Sequence, residues 1–265
     1  MRIYIHNNDK INSVKIKEKL ISMIKSSSLE LVNTEPDVIV VIGGDGTMLS
    51  AIKKFKYRNI PFLGINTGTL GFLPSLLPKD IDKFVEIIKN KKYKVEKYPL
   101  LKLTSETIYG KKINHYAFNE ILIKHLQPKL MEAKLYFNGE PFNYFTGDGF
   151  IISTPIGATG YAIWAGGIAT HTDLDLYQVT PLNPNDNRVN RPLKTSMVVP
   201  LDTELKINIV KAKKRKVIVA CDGKKATDDY ISKLSITKSK DHVIRILKTD
   251  GYDYFKLYKN KIIDK

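Results

Sequence analysis

The chain has 265 residues, 43% hydrophobic and 26% charged, which excludes a disordered or fibrous protein and, at roughly 100–200 residues per domain, suggests two domains or one large one. The longest aliphatic stretch, Val38 to Ile42, is far short of a membrane span, the N-terminus lacks a signal-peptide core, Cys221 is the one cysteine and the five histidines show no zinc spacing, so a soluble, unexported chain without disulfides is expected. Lysine and arginine outnumber aspartate and glutamate by 43 to 27, a net charge of +16, which calls for an anionic partner: a nucleic acid, a membrane surface or a small phosphorylated ligand.

The first half alternates strand and helix. Arg2 to His6 reads as a strand, followed by a helix whose apolar face carries Val14, Leu20, Ile21 and Ile24. After the turn Thr34-Glu35-Pro36-Asp37 comes Val38-Ile39-Val40-Val41-Ile42, β-branched throughout, as suits a parallel strand buried on both faces. Gly43-Gly44 ends it; a helix runs from Thr47 through Lys56, a strand from Ile60 to Ile65 and an amphipathic helix from Asp80 to Lys89. This order predicts an α/β layer domain.

From about Pro99 the pattern changes to strands and turns. Met131, Ala133, Leu135 and Phe137 alternate with polar or aromatic neighbours up to Asn138-Gly139, a hairpin signal, and Leu205, Ile207 and Ile209 alternate similarly. The basic run Lys211 to Lys216 lies between two strand-like segments and reads as an exposed hairpin tip; without interleaved aromatics it is a solvated loop rather than a nucleic-acid patch. The tail, Tyr252 to Ile263, is aromatic and basic and is expected to return to the first domain. The expected organisation is an α/β domain over 1–98 joined by the tail at about 250–265, and an antiparallel, sandwich-like β-rich domain over 99–249.

Gly43-Gly44-Asp45-Gly46-Thr47 is the most informative stretch, lying directly after a buried strand and before a helix. Glycines there let a ligand approach main-chain N–H groups, and a helix start adds unpaired donors and the positive end of its dipole, a seat for phosphate. An aspartate inside a phosphate cradle has three readings: a general base, a magnesium ligand or a cap on the next helix. Neither a Walker loop nor a Rossmann fingerprint is present.

Taken with further blocks, the loop resembles the NAD kinase family. Gly43 to Thr47 looks like that family's GGDGT motif, which diacylglycerol kinases and phosphofructokinases share more loosely. Asn66-Thr67-Gly68-Thr69-Leu70-Gly71-Phe72-Leu73, Asn119-Glu120, Gly147-Asp148-Gly149 with Ser153-Thr154-Pro155, Gly157-Ala158-Thr159-Gly160-Tyr161, Ala165-Gly166-Gly167 and Asn187-Arg188 follow in family order.

The resemblance implies transfer of the ATP γ-phosphate to the 2′-hydroxyl of the adenosine ribose of NAD, giving NADP, with a divalent cation, usually Mg²⁺. Asp45 would be the general base, and Gly43, Gly44, Gly46 and Thr47 would hold phosphate. Asp45, Gly46, Phe72, Asn119, Glu120, Thr146, Asp148, Ala158, Thr159, Gly160, Tyr161, Trp164 and Asn183 would line the NAD site, with Asn119 and Glu120 at the ribose and adenine and Asp148 near the nicotinamide. His171 matches a common family histidine and is given no catalytic role. The family also implies a cytoplasmic homo-oligomer, a tetramer or dimer, with no membrane or specific nucleic-acid partner.

Departures from the family pattern are Ile156 and Ala158 where hydroxyls are frequent, Gly160 for alanine, Thr146 where some members have arginine, and Trp164 where many carry a small residue. Two rival readings are a diacylglycerol-kinase-like lipid kinase, which predicts neither the Asn-Glu pair nor the STP block, and a non-catalytic dinucleotide sensor, which has no need of Asp45.

Overall fold

A computed structural model of the chain describes residues 1–67, 71–187, 189, 191–249 and 253–264. Gly68, Thr69 and Leu70 of the Asn66–Leu73 block, Arg188 of the Asn187-Arg188 pair and Tyr252 of the tail lie outside the described residues. The chain divides into two units, Met1–Tyr98 with Asp241–Lys265, and Pro99–Lys240.

In the first unit, strands β1 (Arg2–Asn7), β2 (Glu30–Leu31), β3 (Val38–Ile42) and β4 (Phe62–Ile65) alternate with helices α1 (Ile11–Lys25), α2 (Asp45–Lys54) and α3 (Phe84–Lys89). The strands pair in parallel in the order β2-β1-β3-β4, with Ile3 opposite Val38 and Ile39 opposite Phe62. All five residues of β3 are buried, as expected of a central parallel strand covered on both faces.

Several boundaries differ from the sequence expectation. The inward face of α1 is Ser13, Ile16, Leu20 and Ile24, while Val14 is 38% exposed; each residue turns the helix by about 100°, which carries Val14 away from the Ser13 side. β4 begins at Phe62 rather than Ile60, because Pro61 has no N–H for a ladder. The helix expected from Asp80 starts as a 3₁₀ turn over Pro78–Lys83 and becomes α only at Phe84; Pro78 presets its first turn.

The second unit is built on strands β5 (Lys94–Thr107), β6 (Lys112–Ala117), β7 (Glu120–His125), β8 (Met131–Phe137), β9 (Glu140–Gly147), β10 (Gly149–Ser153), β11 (Leu176–Leu182), β12 (Met197–Pro200), β13 (Leu205–Ile209), β14 (Val217–Cys221), β15 (Lys224–Thr227) and β16 (Ile231–Lys248), with the short helix α4 (Tyr161–Trp164) between β10 and β11. Among the described residues one sheet is wholly antiparallel, in the order β12-β11-β10-β7-β14-β15. The other runs β16-β13-β8-β9, with β5 pairing β16 and β6. Alternate residues of both sheets, among them Ile121, Ile123, Leu135, Phe145, Phe150, Tyr177, Val219 and Ile236, form one core; full burial of each such side chain contributes roughly 1.5–3 kcal/mol.

Asn138 and Gly139 have φ of 50° and 89° and join β8 to β9 with Phe137 opposite Glu140, a type I′ hairpin as the dipeptide predicts. The basic run is not a hairpin tip. β13 belongs to one sheet and β14 to the other, so Lys211 to Lys216 crosses between sheets. Arg215 is tied down there, its guanidinium donating to the Leu130 carbonyl at 3.1 Å and the Glu132 carboxylate at 2.5 Å.

The end of β16 pairs with β4 in parallel at Ile246 and Phe62. Helix α5 (Tyr254–Tyr258) and a π-type turn over Lys259–Ile263 follow, and Tyr254 and Leu257 pack on Phe72 within the first unit. Among the described residues no helix is long and apolar enough to cross a membrane.

Candidate active site

In the first unit the chain passes outward from β1 through α1 to β2, then returns to place β3 on the other side of β1. The gap beyond the carboxyl ends of β1 and β3 is therefore a topological switch point, where open parallel sheets bind their ligands. The Gly43–Thr47 loop leaves β3 there, and Asn8, just past β1, donates from Nδ2 to Thr47 Oγ1 at 3.1 Å. A Cβ on Gly43 would lie 2.3 Å from Thr47 Oγ1, and its φ is 155°, so only glycine serves. On Gly44 and Gly46 a Cβ would meet nothing within 4 Å, which leaves that side of the loop open to a ligand.

Asp45 does not cap the helix. Gly44 is the N-cap and has no side chain to cap with, and Asp45 is the first residue of α2. Its carboxylate turns instead to the Gly71–Leu73 segment: Oδ1 accepts from the Leu73 amide at 3.0 Å and Oδ2 from the Phe72 amide at 3.2 Å. A Cβ on Gly71 would sit 2.3 Å from Asp45 Oδ1, so the close approach requires glycine there too. Lys261, from the C-terminal turn, donates to Oδ2 at 3.2 Å, and its ammonium lies 4.9 Å from the Phe72 ring centroid.

Lys248 secures the same segment from the other side, donating to the carbonyls of Phe72 at 2.9 Å and Leu73 at 3.0 Å while only 3% exposed. Burial pushes its ammonium down to about 8, against the opposing pull of Glu96 and Asp45. The Phe72 ring is 6% exposed and packed on the tail; what it presents toward the loop is its amide. Sequence reading passes over Lys248 and Lys261, because two lysines more than 170 residues from the loop carry no local signal in so basic a chain.

In the second unit the structure gathers three of the sequence blocks. Thr154 Oγ1 donates to the Phe118 carbonyl at 2.7 Å, and its amide donates to the Asn119 carbonyl at 2.9 Å. A Cβ on Gly157 would be 2.2 Å from the Asn119 carbonyl, and one on Gly160 would be 3.7 Å from Glu120 Oε2. The 157–161 turn thus lies directly on Asn119-Glu120. Among the described residues Asn119 Oδ1 is buried with no hydrogen-bond partner. Ile156 and Ala158 are buried, so the positions that lack hydroxyls are apolar contacts of the fold. Thr159 and Gly160 are half-buried, whereas Tyr161 is 50% and Trp164 74% exposed, three residues apart on α4.

Gly147-Asp148-Gly149 lies where the chain leaves β9 in one sheet for β10 in the other. Asn183, itself left-handed with φ of 41°, donates from Nδ2 to the Asp148 carboxylate at 2.8 Å. Thr146 is buried, its hydroxyl donating to the Asn185 carbonyl at 3.1 Å. His171 Nδ1 accepts from the Asp173 amide at 3.2 Å in a local turn. Sequence reading also misses Asp222, whose carboxylate meets the backbone of the Asn119-Glu120 segment; Asp222-Gly223 after alternating apolar residues is a hairpin signal that marks the position. A cavity of about 520 Å³ in the first unit, lined among others by Ser75, Leu77, Ile87 and Leu257, contains none of the sequence-selected residues and is not the candidate site.

An open parallel sheet with a glycine loop and aspartate at its switch point, in one chain with a two-sheet antiparallel unit, places the protein in a class of two-part nucleotide kinases. The solved structure of an NAD kinase from Archaeoglobus fulgidus in complex with ATP superposes with a TM-score of 0.75 at 27% identity, covering 98% of this chain and 97% of that one. Yeast NADH kinase complexed with NADH shares the fold, with a TM-score of 0.87 at 20% identity over 100% of this chain and 87% of that one. The ATP-NAD kinase N-terminal domain model matches residues 3–93 and the ATP-NAD kinase C-terminal domain model residues 118–248. The NAD kinase of Leuconostoc mesenteroides is 34% identical over 92% of this chain and 91% of its own length, and that of Finegoldia magna 32% over 92% and 94%. The chain belongs to the NAD kinase family.

Proposed function

We propose that the chain transfers the γ-phosphate of ATP to the 2′-hydroxyl of the adenosine ribose of NAD, releasing NADP and ADP, with Asp45 as the general base. The observation that carries this reading is the orientation of the Asp45 carboxylate: it stands at the glycine loop, held by the Phe72 and Leu73 amides, and does not cap its own helix. A carboxylate offers about four lone-pair positions. Two amides and the Lys261 ammonium take three of them, which leaves one for a sugar hydroxyl.

A ribose hydroxyl is a weak nucleophile at neutral pH, and its proton passes to the carboxylate as the bond to phosphorus forms. The rest of phosphoryl transfer is positioning and charge neutralisation. The start of α2 with the open side of Gly44 and Gly46 suits phosphate oxygens, and Lys261 adds a positive charge beside the base. Among the described residues no three His, Cys, Asp or Glu side chains converge; a Mg²⁺ that takes its oxygens largely from the triphosphate and water fits such a site, and would neutralise phosphate charge.

The second unit is read as the dinucleotide side. Asn119 and Glu120 have the donors and acceptors that ribose hydroxyls and an adenine amino group require, and the partnerless Oδ1 of Asn119 is an acceptor suited to a ligand donor. Tyr161 and Trp164 offer exposed rings for stacking; Asp148 with Asn183 supplies a polar edge, and the half-buried Thr159 and Gly160 line the remainder, whereas Thr146 and Ala158 are buried and support the fold there rather than offering a surface to the ligand. The relatives named NAD kinase, and the archaeal relative solved with ATP, support NAD and ATP as the substrate pair. A cytoplasmic homo-oligomer, dimer or tetramer, completes the reading, with sedimentation velocity as its check.

The test is Asp45→Asn. NADP formation is expected to fall by about 10²- to 10⁴-fold, the usual contribution of a general base, while calorimetric affinity for NAD stays within a few-fold of wild type. Unchanged turnover would remove Asp45 from its role, and phosphorylation of diacylglycerol but not NAD would overturn the reaction itself.

A further inference from the structure

Asp222 occupies the first position of the two-residue turn between β14 and β15, with φ of 46°, followed by Gly223 at 70°. Two successive left-handed residues make a type I′ turn, which aspartate tolerates better than most side chains. Turn residues of hairpins ordinarily face water, yet Asp222 is only 8% exposed. Its carboxylate accepts from three successive amides: Phe118 at 3.0 and 3.1 Å, Asn119 at 2.6 Å and Glu120 at 3.2 Å. Its own amide donates to the Glu120 carbonyl at 2.9 Å.

Successive N–H groups converging on one anion form a nest, and the anion dictates the path of the backbone that carries them. The carbonyl side of the segment is held independently by Thr154, and Gly157 packs on the Asn119 carbonyl too closely for any Cβ. Residues 118–120 are thus gripped through their N–H groups by the Asp222 carboxylate, through the Phe118 and Asn119 carbonyls by Thr154, and through the Glu120 carbonyl by the Asp222 amide. The side chains of Asn119 and Glu120 project from this fixed backbone. A buried carboxylate donated by a distant hairpin is a costly way to satisfy amides that water would satisfy on an open surface, and its effect is to give the two side chains a single direction.

We infer that Asp222 is a positioning residue for dinucleotide recognition, acting through the backbone to aim Asn119 and Glu120. The inference rests on the reading of those two residues as NAD contacts. Asp222→Asn keeps the size and the turn but places an NH₂ group against the amides. It is expected to raise KM and calorimetric Kd for NAD at least tenfold, to leave KM for ATP within twofold, and to change kcat less than threefold. Asn119→Ala should weaken NAD comparably, and the double variant should be little worse than the weaker-binding single one, because both act on one contact.

A role as hairpin anchor alone would lower thermal stability, leave the NAD constants where they are, and show no coupling with Asn119; that result overturns the inference. Should Asp222→Asn not fold, Asp222→Ser retains a hydroxyl acceptor and carries the same comparison. A wild-type chain that binds no NAD would overturn the site assignment and the inference with it, whereas wild type and Asp222→Asn binding NAD equally well would overturn only the role of Asp222.

Discussion

Gly71 leaves room for the proposed base, and Lys248 holds the carbonyls of the two residues whose amides bind it. A methyl group on Gly71 would lie 2.3 Å from Asp45 Oδ1, so Gly71→Ala must push the carboxylate aside. A displacement near 1 Å at a reacting group costs on the order of 10²-fold in rate, and steady-state kinetics of Gly71→Ala should show kcat falling at least tenfold while the variant still folds. Lys248 makes a prediction about stability. Its folded-state pKa is about 8 against an ordinary 10.5, so between these values the unfolded chain binds more protons than the folded one, and stability rises with pH. The penalty of keeping the buried ammonium charged, roughly 3 kcal/mol for a shift of this size, is present in full below pH about 8 and is relieved by about 10.5. In urea titrations Lys248→Met should lose this upward slope. Asp45 and its glycines are legible in the sequence because they are contiguous, and one pentapeptide holds both the turn and the carboxylate. Lys248, Lys261 and Asp222 are not, because each reaches its partner across the fold from a stretch whose local pattern says only strand, tail or hairpin.

Elements are positioned by a few backbone crossings. At Gly147-Asp148-Gly149 the chain changes sheets, and Gly149 has φ of 153° with the space of its missing Cβ filled by the Ile123 carbonyl, 2.0 Å away. A Cβ there meets a central strand that cannot yield, so Gly149→Ala should cost more than about 3 kcal/mol, read as a lowered denaturation midpoint or loss of soluble protein. Alternation in Met131 to Phe137 and the Asn138-Gly139 signal predict their hairpin correctly, because antiparallel neighbours are local in sequence. The same reasoning misreads Lys211 to Lys216, since two flanking strands look alike whether the chain turns back on itself or crosses to another sheet. The inward face of α1 also departs from its apolar pattern, as Ser13 is buried and Val14 is not.

At the scale of the molecule, a net charge of +16 favours anions at long range without specifying one. Binding to duplex DNA is accordingly expected to be weak, indifferent to sequence, and lost between about 50 and 200 mM salt; fluorescence anisotropy at two salt concentrations checks this, and a salt-resistant, sequence-selective complex would contradict the expectation of no specific nucleic-acid partner. The sequence by itself determined the α/β and β-rich halves, the glycine loop with its aspartate, and the family, because these depend on periodicity and on short ordered blocks. Only the tertiary structure decided that Asp45 faces the Phe72 and Leu73 amides rather than its own helix, that Lys261 reaches its carboxylate while Lys248 holds the carbonyls of the same two residues, and that a hairpin carboxylate grips residues 118–120. The physical reason is that a hydrogen bond between distant segments depends on which strands pair and where the chain crosses, and neither is written in the local pattern of residues.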